Sequence, residues 1–137
     1  MRVARAMADP STNVAVARED SRLIAFGIMQ YRDETAHLAL LAVRSSHRRQ
    51  GVGSAMLLWL EEVARIAGIS TIRVEARDDN LAGKQFYKSH GYRRIARVTG
   101  MYSGMEDGVC FQKRLRESSD QRLPDTWLTL SHRKGYP

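Results

Sequence analysis

The apolar and polar positions fall into short alternating runs, then two longer helical ones. Residues 1–12 read as a loop around Pro10 and Ser11, with RVARAM able to form the stub of a helix. Over residues 13–17 valine and alanine alternate, which predicts a strand. The polar run Glu19-Asp20-Ser21-Arg22 is a turn, though it lacks the glycine of the tightest hairpins. Residues 23–30 form a second strand and 31–35 a second polar turn. Residues 37–43 are almost all apolar, the pattern of a central strand covered on both faces. These three strands make an antiparallel meander.

Over residues 51–67 the spacing changes to a helical one, with Val52, Ala55, Met56, Trp59, Val63 and Ile66 on one stripe and Gly68 as the stop. Residues 71–77 alternate again, Ile72, Val74 and Ala76 against Arg73, Glu75 and Arg77. A strand reached through a helical crossover lies parallel to the one before it. Asp79 or Asn80 caps a second helix over residues 81–89, with Ala82, Phe86 and Tyr87 facing inward and Gly91 beyond its end. Residues 92–98 and 109–115 read as two last strands, hairpinned through a glycine-containing loop. The pattern is one domain over residues 1–117. A polar tail, 118–137, carries Trp127, Leu128 and Leu130, which give it a means of docking.

Composition narrows the class. With 43% hydrophobic and 27% charged residues, the chain fits a soluble globular protein, expected in the cytoplasm. Runs such as LALLAV are far too short to span a bilayer, and the first ten residues hold no apolar core of signal-peptide length. Cys110 is the only cysteine and sits in a strand-like run without an adjacent base, so a structural thiol outweighs a nucleophile. The net charge of +7 favours an anionic partner. The charges are scattered, without the spacing of a nucleic-acid-binding motif, so a nucleotide or cofactor phosphate is preferred to nucleic acid.

That anion has an evident seat. An apolar strand ends at Val43, a basic loop follows, and Arg48-Arg49-Gln50-Gly51-Val52-Gly53-Ser54 opens the helix. Backbone N–H groups and the positive end of the helix dipole converge there. Glycine allows close approach, and two arginines add charge.

This order of elements resembles the GNAT superfamily of N-acetyltransferases. Arg48 to Gly53 matches the family's acetyl-CoA loop. Asn80 and Ala82, then Phe86-Tyr87-Lys88 and Gly91-Tyr92, match the motif that follows it. The pattern covers residues 13–115, and the two motifs together are far more specific than either alone. Within the superfamily the chain is most similar to the ribosomal-protein N-terminal alanine acetyltransferases. Glu75 stands twelve positions before Tyr87, and Met101-Tyr102-Ser103-Gly104-Met105-Glu106-Asp107 is similar to their tyrosine-containing segment.

The resemblance implies an α/β (α+β) fold. Its mixed, mostly antiparallel sheet has a central parallel pair splayed around acetyl-CoA and is flanked by helices. It implies acetyl transfer to a primary amine, either a protein N-terminus or a small amine, with acetyl-CoA as cosubstrate and no metal. It gives Leu41, Ala42 and Val43 to the pantetheine arm, with a backbone N–H of this segment as an oxyanion donor, and residues 49–54 to the pyrophosphate. Tyr87 is then the general acid; a phenol with a free pKa of about 10 is protonated at neutral pH. Glu75 is the general base, with His37 and Glu34 as rivals. Asn80 either caps its helix or touches CoA. His37, Tyr102 and Glu106 border the acceptor. The competing class is a CoA-binding or interaction module without turnover.

One departure stands out. Family members place a strand and one or two helices before the meander, and only residues 1–12 precede Asn13. The N-terminal strand and helices are therefore expected to be missing. The edge left beside residues 13–17 calls for a homodimer, or for the tail folding back with Trp127 buried.

Overall fold

In the computed structural model, which describes residues 1–99 and 107–115, four strands come first: β1 (Arg2–Asp9), β2 (Thr12–Glu19), β3 (Arg22–Arg32) and β4 (Thr35–Val43). A short 3-10 turn at Ser45–His47 leads to α1 (Val52–Ile66) and β5 (Thr71–Arg77). Then come α2 (Leu81–Ser89), β6 (Arg93–Val98) and β7 (Gly108–Arg114). The strands form one mixed sheet in the order β1-β2-β3-β4-β5-β7-β6. Only β4 and β5 are parallel; the other pairs are antiparallel.

The first strand is where the sequence reading fails. Residues 2–9 are neither loop nor helical stub. They pair with β2 from Arg2↔Arg18 to Asp9↔Thr12. Alanine, arginine and methionine are strong helix formers, but pairing along β2 outweighs a weak intrinsic preference. Asp9 sets the turn, its Oδ1 accepting from the Ser11 amide at 2.8 Å and the Ser11 hydroxyl at 3.0 Å. The edge expected to be bare beside residues 13–17 is thus covered by β1, which joins β2 directly with no helix between them.

α1 packs on one face of the first four strands. Val52 and Met56 are buried as the periodicity predicts, but Leu57, Leu60 and Ala64 bury more than Ala55, Trp59 and Val63, and Ile66 is exposed. The stripe is rotated toward the leucines, whose burial contributes about 1.5–3 kcal/mol each. β3 makes room for this helix at Gly27, where an added Cβ would lie 2.9 Å from Leu60 Cδ1. Leu60 is fully enclosed and has nowhere to move. Gly27→Ala is expected to cost about 1–3 kcal/mol of stability through overpacking. Urea denaturation checks this, and an unchanged midpoint would show that Leu60 yields freely.

α2 has the predicted bounds, with Tyr87 buried, but Ala82 is exposed rather than inward. The expectation for β4 also needs correction. Ala36 and Leu38 are buried, but Ala39 and Leu40 are exposed and Leu41, Ala42 and Val43 only half-buried. Among the described residues the second half of this apolar strand is only partly covered. Among the described residues no helix is long and apolar enough to cross a membrane.

Candidate active site

The exposure in the second half of β4 follows from its pairing. β4 pairs with β3 as far as Ala25↔Val43, but with β5 only from Thr35↔Thr71 to His37↔Arg73. The β3–β4 register shifts just beyond, from Met29↔Leu38 to Ile28↔Leu40, leaving Ala39 as an extra residue. A bulge of this kind bends its strand. β4 therefore turns away from β5, and over residues 38–43 it has, among the described residues, a strand partner on one side only. Leu41, Ala42 and Val43 lie in this opened stretch, with unpaired ladder positions facing the gap.

The basic loop begins where that stretch ends. Arg44 anchors it to β3 through Nε to the Leu23 carbonyl at 3.0 Å. His47 reaches the Glu19 carboxylate at 3.0 Å, a contact that holds the Glu19 carboxyl below its ordinary range. Arg48 Nε donates to the Val43 carbonyl at 3.4 Å, and Gln50 Nε2 to the Ser46 carbonyl at 3.3 Å. Arg49 and Gly51 are both left-handed, at φ 63° and 82°. Such a conformation favours glycine at 51, and arginine adopts it at 49 at an energetic cost. Gly51 is the N-cap of α1, no side chain caps that end, and its first turn holds no acidic residue. The free amides of Val52, Gly53 and Ser54, beside Arg48 and Arg49, make an end of helix suited to phosphate. The residues present therefore fit acetyl-CoA: an anion seat at the loop and an open strand leading from it.

On β5, Glu75 lies just beyond the last β4–β5 pair. Its carboxylate meets His37 Nε2 directly. The pair bridges the two strands at the mouth of the gap. Ala36 and Leu38 belong to the core under α1, so His37, between them, projects to the opposite face. A hollow of 530 Å³ opens there, with Thr12, Gln30, Arg32, His37, Arg73 and Glu75 in its lining. Tyr31 also contributes, and Asn13 Nδ2 donates to its hydroxyl at 3.4 Å. Glu34 lies outside this lining, its backbone carbonyl taken by Ser70. Cys110 Sγ is 3.8 Å from Glu75 Oε2. Burial and then the Glu75 charge push its thiol up, which keeps it protonated and argues against a nucleophile.

Tyr87 stands on the helix-covered side. Its ring packs between Phe86, Tyr92 and Phe111, with centroids at 5.2, 5.6 and 6.4 Å. Phe111 pairs with Val74 on β5, so Tyr87 and Glu75 flank the same short piece of strand from opposite sides. Beneath Tyr87 runs a buried network that sequence reasoning missed. Glu61 of α1 accepts from the Tyr92 hydroxyl at 2.8 Å and from Lys113 Nζ at 3.0 Å. Burial, then the Glu61 charge, drives the Tyr92 phenol far above its ordinary range. Nothing in the local pattern marks Glu61 as buried, because its partners come from a distant loop and strand.

Asn80 is a helix cap: its Oδ1 accepts from the Gly83 amide at 2.9 Å. Tyr102 and Glu106 lie outside the described residues, as do Trp127 and the tail at 118–137.

Residues 2–92 match the Acetyltransferase (GNAT) family. The chain belongs to that family. A [ribosomal protein bS18]-alanine N-acetyltransferase from Haemophilus ducreyi is 33% identical over 90 residues, 66% of this chain. The chain spans 61% of that relative's length. The crystal structure of the Escherichia coli ribosomal-protein-S18-alanine N-acetyltransferase superposes with a TM-score of 0.76 at 24% identity, covering 82% of this chain and 75% of that one. A Thermoplasma acidophilum N-acetyltransferase in complex with coenzyme A gives a TM-score of 0.66 at 22% identity, over 76% and 61% of the two chains. At these identities the structural likeness is one of fold.

Proposed function

We propose that this GNAT chain transfers the acetyl group of acetyl-CoA to a primary amine, on a protein N-terminus or a small molecule, by direct attack. The observation that carries the reading is the β4–β5 ladder, which stops at His37↔Arg73 with the Glu75–His37 pair at the mouth of the gap. The uncapped α1 terminus at the far end of the same strand adds support, as does the coenzyme A held by a protein of the same fold.

Arg48, Arg49 and the amides of residues 49–54 hold the pyrophosphate. Leu41, Ala42 and Val43 line the thioester-bearing arm with backbone groups. Glu75, alone or through His37, takes a proton from the incoming ammonium. The neutral nitrogen forms a bond to the thioester carbonyl carbon, and the carbonyl electrons move to oxygen. A β4 backbone N–H stabilises that oxyanion. As the carbonyl re-forms, the C–S bond breaks and Tyr87 protonates the leaving thiolate; the bonded nitrogen gives up its remaining extra proton to water, and water returns one to the Tyr87 phenolate.

Coenzyme A release with an amine panel tests this. Amine-dependent release is expected, with acetylated product of matching mass. Tight coenzyme A binding with no amine-dependent release would favour a binding module.

A further inference from the structure

The 530 Å³ hollow carries more information about the acceptor than its place beside Glu75. Among the described residues its lining holds two guanidiniums, Arg32 and Arg73, and one carboxylate, Glu75, itself taken up with His37. Arg73 is steered by a bond from Nε to Gln112 Oε1 at 3.1 Å, which leaves its terminal amino groups available. Among the described residues neither arginine has a carboxylate partner.

The sheet register puts these groups on one face. Arg32 pairs with Thr35, Gln30 with His37, and His37 with Arg73. Arg73 and Glu75 are two residues apart on β5, so they point the same way, roughly 7 Å apart. One end of the hollow thus presents a base for an amine, and the rest presents positive charge. The volume lies within the usual range for small-molecule sites.

From this arrangement we infer that the acceptor is a small amino acid-like zwitterion, with its amine at Glu75–His37 and its carboxylate at Arg32 and Arg73. The inference rests on the acetyl-transfer reading of the same site and narrows it. A guanidinium is always charged, and its planar fork matches a carboxylate through two parallel hydrogen bonds. A polyamine entering the hollow would bring further positive charge against two arginines already there.

The test compares acceptors that carry an anion with counterparts that lack it. Acetyl-CoA turnover is measured with free α-amino acids, the corresponding amino acid amides, an aminoalkyl phosphate, a polyamine and a peptide amide. In parallel, the same acids and amides are titrated by calorimetry into protein saturated with coenzyme A, which reads acceptor binding without chemistry. Free acids are expected to exceed their amides about tenfold or more in both readouts. That ratio is expected to collapse in Arg73→Gln and Arg32→Gln. The aminoalkyl phosphate is expected to fall below the amino acids; a phosphate preference would overturn the carboxylate assignment. Equal values for acid and amide, an unchanged ratio in both arginine variants, or a preference for the polyamine or the peptide amide would overturn the inference. If no amine releases coenzyme A but the acid-over-amide ratio persists in calorimetry, acetyl transfer fails while the anion-reading hollow stands.

Discussion

Tyr87→Phe is expected to lower turnover about 10²-fold and leave the affinity for acetyl-CoA in place. The change removes one oxygen and keeps the ring between Phe86, Tyr92 and Phe111, so the fold is expected to survive. The cofactor loop at Arg48 to Ser54 belongs to another element and is untouched. The loss therefore falls on kcat, with little change in KM for acetyl-CoA, the signature of an interaction made in the transition state. A second comparison separates acid catalysis from a packing defect. An acetyl ester with a far more acidic leaving group needs no proton as it departs, so the Tyr87→Phe penalty is expected to shrink with it. A packing defect would slow both donors alike. Unchanged kcat in a variant with a normal thermal melt would remove Tyr87 from the role.

Legibility in the sequence tracked how local each interaction is. β5 and α2 could be read to the residue, because period-2 alternation and an Asn80 cap are properties of adjacent positions. β1 could not, since its residues favour helix and only pairing with β2 makes them a strand. The apolar run of β4 suggested burial on both faces. Its apolar character belongs in part to an open gap, and the bulge at Ala39 responsible for that gap has no sequence mark. The glycine-marked turn into α1 was legible from its residues. The Glu75–His37 pair was not, although both residues had been singled out, because their contact depends on the register of two strands joined by a helix. The same dependence hid Arg32 and Arg73 as lining of one hollow and Glu61 as the hub beneath Tyr87.

That non-local pair gives the second large effect. Glu75→Gln is expected to reduce kcat/KM by about 10²- to 10⁴-fold, the range for loss of a general base. The amide keeps the size of the carboxylate and can still bond to His37, so the strands stay bridged. A base works only when deprotonated, so wild-type activity is expected to show an acidic limb set by the protein. In Glu75→Gln that base is gone, and this limb is expected to vanish. The acceptor amine imposes an acidic limb of its own, because it must also lose a proton. Two acceptors of different basicity tell the limbs apart: the amine's limb moves with the acceptor, and the protein's limb stays where it is. His37→Gln is the companion measurement. If His37 only orients Glu75, the acceptor-independent limb persists in that variant with a reduced rate. If Glu75→Gln retains the limb and His37→Gln loses it, the imidazole is the base and Glu75 is its positioning partner.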